Sequence, residues 1–338
     1  MRNGIVMAGI YAVLALMLVI GAALPGRRAE RPAEETEPVS PVAETTGETA
    51  ADTAEPPRVY RTDEIVAVFD AVRQEECMMP LEEYVTHVVM AEMEYDAPKE
   101  ALKAQAVAAR TYCLYCLAGG QAHGDTDARV CTDYAHCMAY ISDEEAEQRW
   151  GEAAAQTVYS AVRAAVRETE GEYLTYEGKP IAALFHASSR RMTESAENVW
   201  GTPYPYLVSV PTYEEDEPSV TEVPAAEVQR VMEEAGEAAF SDVLYEDAPV
   251  LVLDDAGRVA SFRAFGRQIA GTDLRALLGL RSTAFEVGVT GNVFRFTCRG
   301  WGHGVGMSQA GAVRLAGSGA NYKEILCYYY TGVTLIHA

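Results

Sequence analysis

The sequence predicts an α+β protein, with helices and mixed, mostly antiparallel sheets around a groove, behind an N-terminal membrane helix and a disordered tether. Three observations carry this reading. Helical and strand-like segments alternate without a regular βαβ rhythm, which disfavours a parallel sheet. Two long apolar helical segments occupy residues 81–118. Further on, Val250-Leu251-Val252-Leu253, a Gly-containing turn at 254–257 and Val259 to Phe265 read as a β-hairpin.

Taken in order, Ile5 to Leu24 is a run of twenty uncharged residues, long enough to cross a bilayer as a helix. Gly21-Ala22-Ala23 is a small-x-small pattern open to a signal peptidase, yet the apolar run exceeds most signal-peptide cores. Residues 1–28 therefore read as a retained anchor. Arg27, Arg28 and Arg31 outnumber Arg2, a bias that would hold this flank in the cytosol unless the long following domain overrides it. Residues 29–57 set eight acids against Arg31 and contain no aromatic residue, so they form an extended acidic tether. The folded domain spans 58–338. It is expected to run through a strand at 65–72, helices at 81–95 and 98–118, and a Cys/His loop at 119–141. A helix at 144–169, a strand pair around 172–187 and a helical stretch at 221–237 come next. The hairpin, short strands to Phe296 and a last helix at 322–330 complete it.

Net charge is −23, which excludes a nucleic-acid surface and favours neutral or cationic partners, with any anion held by a local basic site. Three clusters carry chemistry. Glu92 is a lone carboxylate among Val88, Val89, Met90, Ala91 and Met93. Apolar surroundings raise a carboxyl's pKa, as a general acid working near neutral pH requires. Glu94 and Asp96 lie in a polar, turn-like context and read as exposed. Lys103 and Arg110 fall seven residues apart on one helix face, where they are expected to bind a carboxylate of the substrate or to tune Glu92.

The second cluster is His123, Cys131, His136 and Cys137, two thiols and two imidazoles within fifteen residues. This donor set suits tetrahedral zinc, while a Cys131–Cys137 disulfide stays open as an alternative, and Cys113 and Cys116 are rival ligands. With seven cysteines, at least one is unpaired in any disulfide framework. The third cluster runs from Arg299 to Gln309, with glycines at alternate positions that permit close approach of a ligand to the backbone. Trp301 offers a flat face for a sugar, and His303, Ser308 and Gln309 offer polar contacts.

Several ordered blocks now resemble one family. They are LEEYV…AEM…EALKAQAVAARTY, CTDYAHCMAY, Ala182 to Ser195 followed by Tyr206-Leu207-Val208-Ser209-Val210, LRALLGLRSTAFEV, and GWGHGVGMSQAGA with YYYTGV. From about residue 60 onward the chain resembles the stage II sporulation protein D family, the SpoIID/LytB-type domain. The resemblance implies a lytic transglycosylase that cuts peptidoglycan glycan strands during forespore engulfment, with Glu92 as the catalytic acid/base. It implies that Lys103 and Arg110 are needed for activity, and that zinc is held by Cys131, His136 and Cys137 with His123 as fourth ligand. Nothing in a transglycosylase needs a Lewis acid, so that zinc would be structural. The implied partners are glycan strands, a wall amidase and a membrane protein of the engulfment machinery. The implied location is the cell membrane, single-pass, with the catalytic domain on the extracytoplasmic side.

One departure stands out. Where the family has Ser-Ser-Gly-Gly, this chain has Ser188-Ser189-Arg190-Arg191. Ser188 and Ser189 are expected on the wall of the substrate groove, which the two arginines either narrow or make anion-binding. Two other readings remain: a zinc hydrolase using an open coordination position, and a non-catalytic wall-binding activator of a partner amidase.

Overall fold

The computed structural model describes residues 60–338 apart from 62, 95, 124, 213, 215–216 and 239–247. The anchor and tether expected at 1–28 and 29–57 lie outside the described residues. Among those residues, no helix is long and apolar enough to cross a membrane. The fold is α+β with mostly antiparallel sheets, and the described residues carry two hydrophobic cores.

The first core begins with a hairpin, β1 (Ile65–Asp70) and β2 (Glu75–Pro80), in register from Ile65↔Pro80 to Asp70↔Glu75. Asp70 Oδ1 closes its turn by accepting from the N–H groups of Val72 and Arg73, both at 2.9 Å. β2 is not expected from sequence. Its half-exposed EECMMP run becomes a strand because β1 supplies the ladder. The short β3 (Val130–Cys131) pairs parallel with β1 and fixes the start of the Cys/His loop.

Helix α1 (Leu81–Glu92) follows Pro80, whose fixed φ suits an entry to a helix. Nearly every side chain from Tyr84 to Met90 is buried, so this helix lies inside the domain. It ends at Glu92 because Met93 turns extended, three residues short of the expected end. Helix α2 (Lys99–Gly119) is also buried around most of its circumference, and its small Ala104, Ala106, Ala108 and Ala109 admit close neighbours. The helix expected at 144–169 is two, α3 (Asp143–Trp150) and α4 (Glu152–Glu168). Gly151, at φ 82°, ends the first and starts the second, a conformation outside the helical range.

β4 (Glu172–Tyr176) and β5 (Lys179–Pro180) form a small sheet with the last strand, β15 (Thr334–His337). β6 (Phe185–His186) pairs parallel with β14 (Met307–Ser308), joining the middle of the chain to its C-terminal region. Helix α5 (Ala196–Trp200) lies between.

The second core occupies residues 219–298. β7 (Ser219–Pro224) pairs with β13 (Val293–Cys298), which also pairs with β12 (Phe285–Thr290). The expected helix at 221–237 thus begins later, as α6 (Ala225–Ala235). Val220, Thr221 and Val223 extend against β13, and Pro224 marks the change. β8 (Glu237–Ala238), β9 (Val250–Leu253), β10 (Val259–Ala264) and β11 (Arg267–Ala270) make the second sheet, with α7 (Gly271–Leu277) behind it. Val228, Met232, Phe262, Leu274 and Phe296 fill the space between, each side chain contributing about 1.5–3 kcal/mol by leaving water. Two further helices return to the first core: α8 (Gln309–Gly317), unexpected inside a Gly-rich run, and α9 (Tyr322–Tyr329), capped by Asn321 and Glu324.

Candidate active site and metal centre

Glu92 is the last residue of α1 and stands half-buried at its end. Two groups hold its carboxyl. Ala139 N–H, on the loop after the Cys/His cluster, donates to Oε1 at 2.8 Å, and Gln309 Nε2 donates to Oε2 at 3.0 Å. The first and third sequence clusters therefore meet at one carboxyl, across 217 residues. Burial raises the Glu92 pKa above the ordinary carboxyl value, opposed by the hydrogen bonds from Gln309 and Ala139, which favour the ionised form. Gln309 is 8% exposed and opens α8 immediately after its N-cap Ser308.

Lys103 and Arg110 are not brought to Glu92. Lys103 Nζ lies 2.8 Å from Glu100 Oε1 and 2.9 Å from Glu168 Oε2, and Glu100 is the main cause of its raised pKa. Arg110 is 1% exposed. Its Nε and Nη2 form a fork to both oxygens of Glu82 at 2.7 and 2.5 Å, and Nη1 donates to the Glu172 carbonyl at 3.0 Å. A glycan cannot reach this guanidinium, so the expected substrate contact is corrected to an internal tie between α1, α2 and β4. The one-face argument failed because α2 is buried around most of its circumference.

Ser189, and Ser308 of the Gly-rich segment, turn inward rather than toward a groove. Both are fully buried. Ser308 Oγ caps α8 by accepting from Gly311 N–H at 3.1 Å and donates to Glu214 Oε1 at 2.6 Å, which also accepts from Ser189 N–H at 2.5 Å. Ser189 Oγ lies 2.6 Å from His186 Nε2 and accepts from Arg258 Nη2 at 2.8 Å. The pairing of β6 with β14 imposes this, and the substrate-contact expectation for these two serines is corrected accordingly. Ser188 remains half-buried, its backbone bridged to Trp301 at 2.9 and 3.2 Å. Trp301 carries Arg281 over its ring at 4.7 Å from the centroid. His303 packs between Trp200 and His186, with ring centroids 5.4 and 5.8 Å away. Its pKa falls to about 3, first through burial and then through Arg275 and Arg258. Gly304 sits at φ 87°, and a Cβ there would meet the Arg258 guanidinium carbon at 2.6 Å, so only glycine fits.

The Cys/His cluster converges. One donor atom from each of His123, Cys131, His136 and Cys137 lies within 4.8 Å of all the others. Cys137 Sγ stands 3.6 Å from His123 Nε2 and 3.4 Å from His136 Nδ1. Zinc–sulfur bonds of about 2.3 Å and zinc–nitrogen bonds of about 2.0–2.1 Å place tetrahedral ligands roughly 3.5 Å apart, so the set fits that ion. All seven cysteines are free thiols, so the disulfide alternative is not formed, and Cys113 and Cys116 stand outside the cluster. The Cys131 pKa falls to about 5, chiefly through the hydrogen bond from Cys137 and against burial, with His136 adding to the fall. Ala139 lies two residues beyond Cys137, so this loop also delivers the N–H that holds Glu92.

Sequence reasoning missed Ala139, Glu82 and Glu214. A backbone donor leaves no side-chain signal. Glu82 could have been found from the rule that a buried arginine needs a carboxylate.

The described residues thus form an α+β frame that joins a half-buried acid to a Cys/His cluster. Residues 74–176 match the SpoIID family model, described as Stage II sporulation protein. The chain belongs to the stage II sporulation protein D family. It is 35% identical to stage II sporulation protein D of Bacillus amyloliquefaciens over 262 residues, 77% of this chain and 75% of that one. It is 34% identical to the Bacillus subtilis protein of the same name over 279 residues, 81% and 79% of the two chains. It is also similar, at 25% identity over 301 residues, to the amidase enhancer of Bacillus subtilis, matching 73% of this chain and 39% of that one.

Proposed function

We propose that this protein is a lytic transglycosylase that cuts the β-1,4 bond between N-acetylmuramic acid and N-acetylglucosamine in peptidoglycan during engulfment. The observation that carries the reading is the carboxyl of Glu92. Burial raises its pKa, and both of its hydrogen-bond partners are neutral. Protonated Glu92 gives its hydrogen to the glycosidic oxygen as the bond to C1 of the muramic sugar breaks and positive charge builds on that ring. The carboxylate left behind takes the proton of the sugar's own C6 hydroxyl, whose oxygen bonds to C1. A 1,6-anhydro end results, the acid is restored, and no second carboxylate is required. General acid–base help of this kind contributes about 100- to 10,000-fold in rate.

His123, Cys131, His136 and Cys137 would hold zinc. Bound there, the ion supplies a structural cross-link. Four protein donors fill a tetrahedral site and leave no position for a reacting water, which argues against the zinc-hydrolase alternative. The loop it would brace carries Ala139 to Glu92. The reading also takes the apolar segment 5–24 as a single membrane anchor with the folded part outside the cell membrane. There a wall amidase and a membrane protein of the engulfment machinery would be its partners.

The similarity to an amidase enhancer supports a second reading, a wall-binding activator without catalysis of its own. One experiment separates them. Purified protein and its Glu92→Ala variant are incubated with peptide-free glycan strands, and the ends are analysed by mass spectrometry. Anhydro ends from wild type alone are expected; equal yields from both proteins would remove Glu92 from the chemistry. Tight strand binding with no new ends would favour the activator.

A further inference from the structure

We propose that Gln309 is a positioning residue that orients Oε2 of Glu92 and so aims the carboxyl that transfers the proton; this rests on the transglycosylase reading above. Oε1 accepts from Ala139 N–H at 2.8 Å and is held by the backbone, so the oxygen left for a side chain to aim is Oε2.

Gln309 Nε2 lies 3.0 Å from that same oxygen. An acid oxygen has room for both tasks: it accepts from the amide in one direction and points its own hydrogen in another. Once the proton has left, the amide donates to a charged carboxylate, a bond roughly twice as strong as a neutral one. Gln309 thus favours the product of proton transfer. A neutral amide is suited to this place, because a lysine or arginine there would pull the pKa down and leave no acid. Among the described residues, Glu92 is perturbed by burial, Gln309 and Ala139, and no charged side chain adds to these.

The amide is also fixed. Ser308, the residue before Gln309, is tied to Glu214 and Gly311, so the helix end that carries the side chain cannot drift. At 8% exposure, Gln309 has little surface left for a sugar, and its expected role in substrate binding is replaced by contact with the acid.

The test compares full-length wild type with Gln309→Met and Gln309→Lys. Anhydro-end formation on peptide-free glycan strands is followed from about pH 4 to 9, alongside a carbon-13 NMR titration of Glu92 without substrate. Gln309→Met is expected to lower kcat about tenfold to a hundredfold with KM unchanged, and to move the alkaline limb and the Glu92 titration to higher pH. Gln309→Lys is expected to move both to lower pH. A purely structural side chain would not give shifts of opposite sign. A loss confined to KM, or kinetics and titrations unmoved in both variants, would overturn the proposal. If wild type forms no anhydro ends while the titration still moves in both directions, the transglycosylase reading falls and the Gln309–Glu92 pairing stands.

Discussion

Arg110→Ala should unfold the protein more easily rather than leave a sound fold with an empty substrate contact. Arg110 forms two hydrogen bonds to Glu82, at 2.7 and 2.5 Å, and a third to the Glu172 carbonyl at 3.0 Å. Removing one partner of a buried ion pair costs about 3–5 kcal/mol because the other charge is stranded. The Glu82 side chain keeps 19% exposure and can recover some hydration, so about 3 kcal/mol, the lower end, applies. For a chain of this size each kcal/mol lowers the melting temperature by about 2–4 °C, which predicts a fall of about 6–12 °C. Circular-dichroism melts of Arg110→Ala, Glu82→Gln and the apolar pair Arg110→Met with Glu82→Leu provide the measurement. The double variant should regain part of the loss, since no lone charge remains. If Arg110→Ala melts at the wild-type temperature yet cuts no glycan, the arginine acts on substrate and the internal role is wrong.

Three more outcomes can be checked. Burial raises the Glu92 pKa in the folded state, so its contribution to stability is complete below the unfolded value of 4.5 and is lost as pH rises through the folded one. Glu92→Gln cannot ionise, so its melting temperature relative to wild type should be higher at pH 8 than at pH 4, read by paired melts. His303 behaves in the opposite sense: with its pKa lowered to about 3 from 6.5, it stabilises the fold above pH 6.5 and loses that contribution as pH falls toward 3. In His303→Gln, the plot of melting temperature against pH should be shallower over that window. Elemental analysis of purified protein should find about one zinc per chain, falling toward none in Cys131→Ser or Cys137→Ser, with a lower melting temperature in both. Full zinc content in both variants would place the ion elsewhere.

Much of the frame and the site could be read from residue order, and the failures have physical reasons. Glu92 was legible because a carboxyl amid Val88, Val89, Met90 and Met93 breaks a pattern. The four Cys and His residues stood out as a group within fifteen residues, with a disulfide left open, and only the fold shows that they converge. Local periodicity could not reveal β2 or β7, since each becomes a strand through a partner elsewhere in the chain. Nor could it show that α3 and α4 are separate, which turns on one left-handed glycine. The helix α8 hid behind glycines, although Ser308 is a good N-cap. Lys103 and Arg110 were misplaced for another reason. Shared helical phase says which side chains point together, not what they point at.

The two groups that grip Glu92 come from positions 47 and 217 residues downstream. A ribosome must therefore deliver every residue through Gln309 before the acid acquires both of its partners. Any fragment that stops short of Gln309 holds the glutamate but not the second grip.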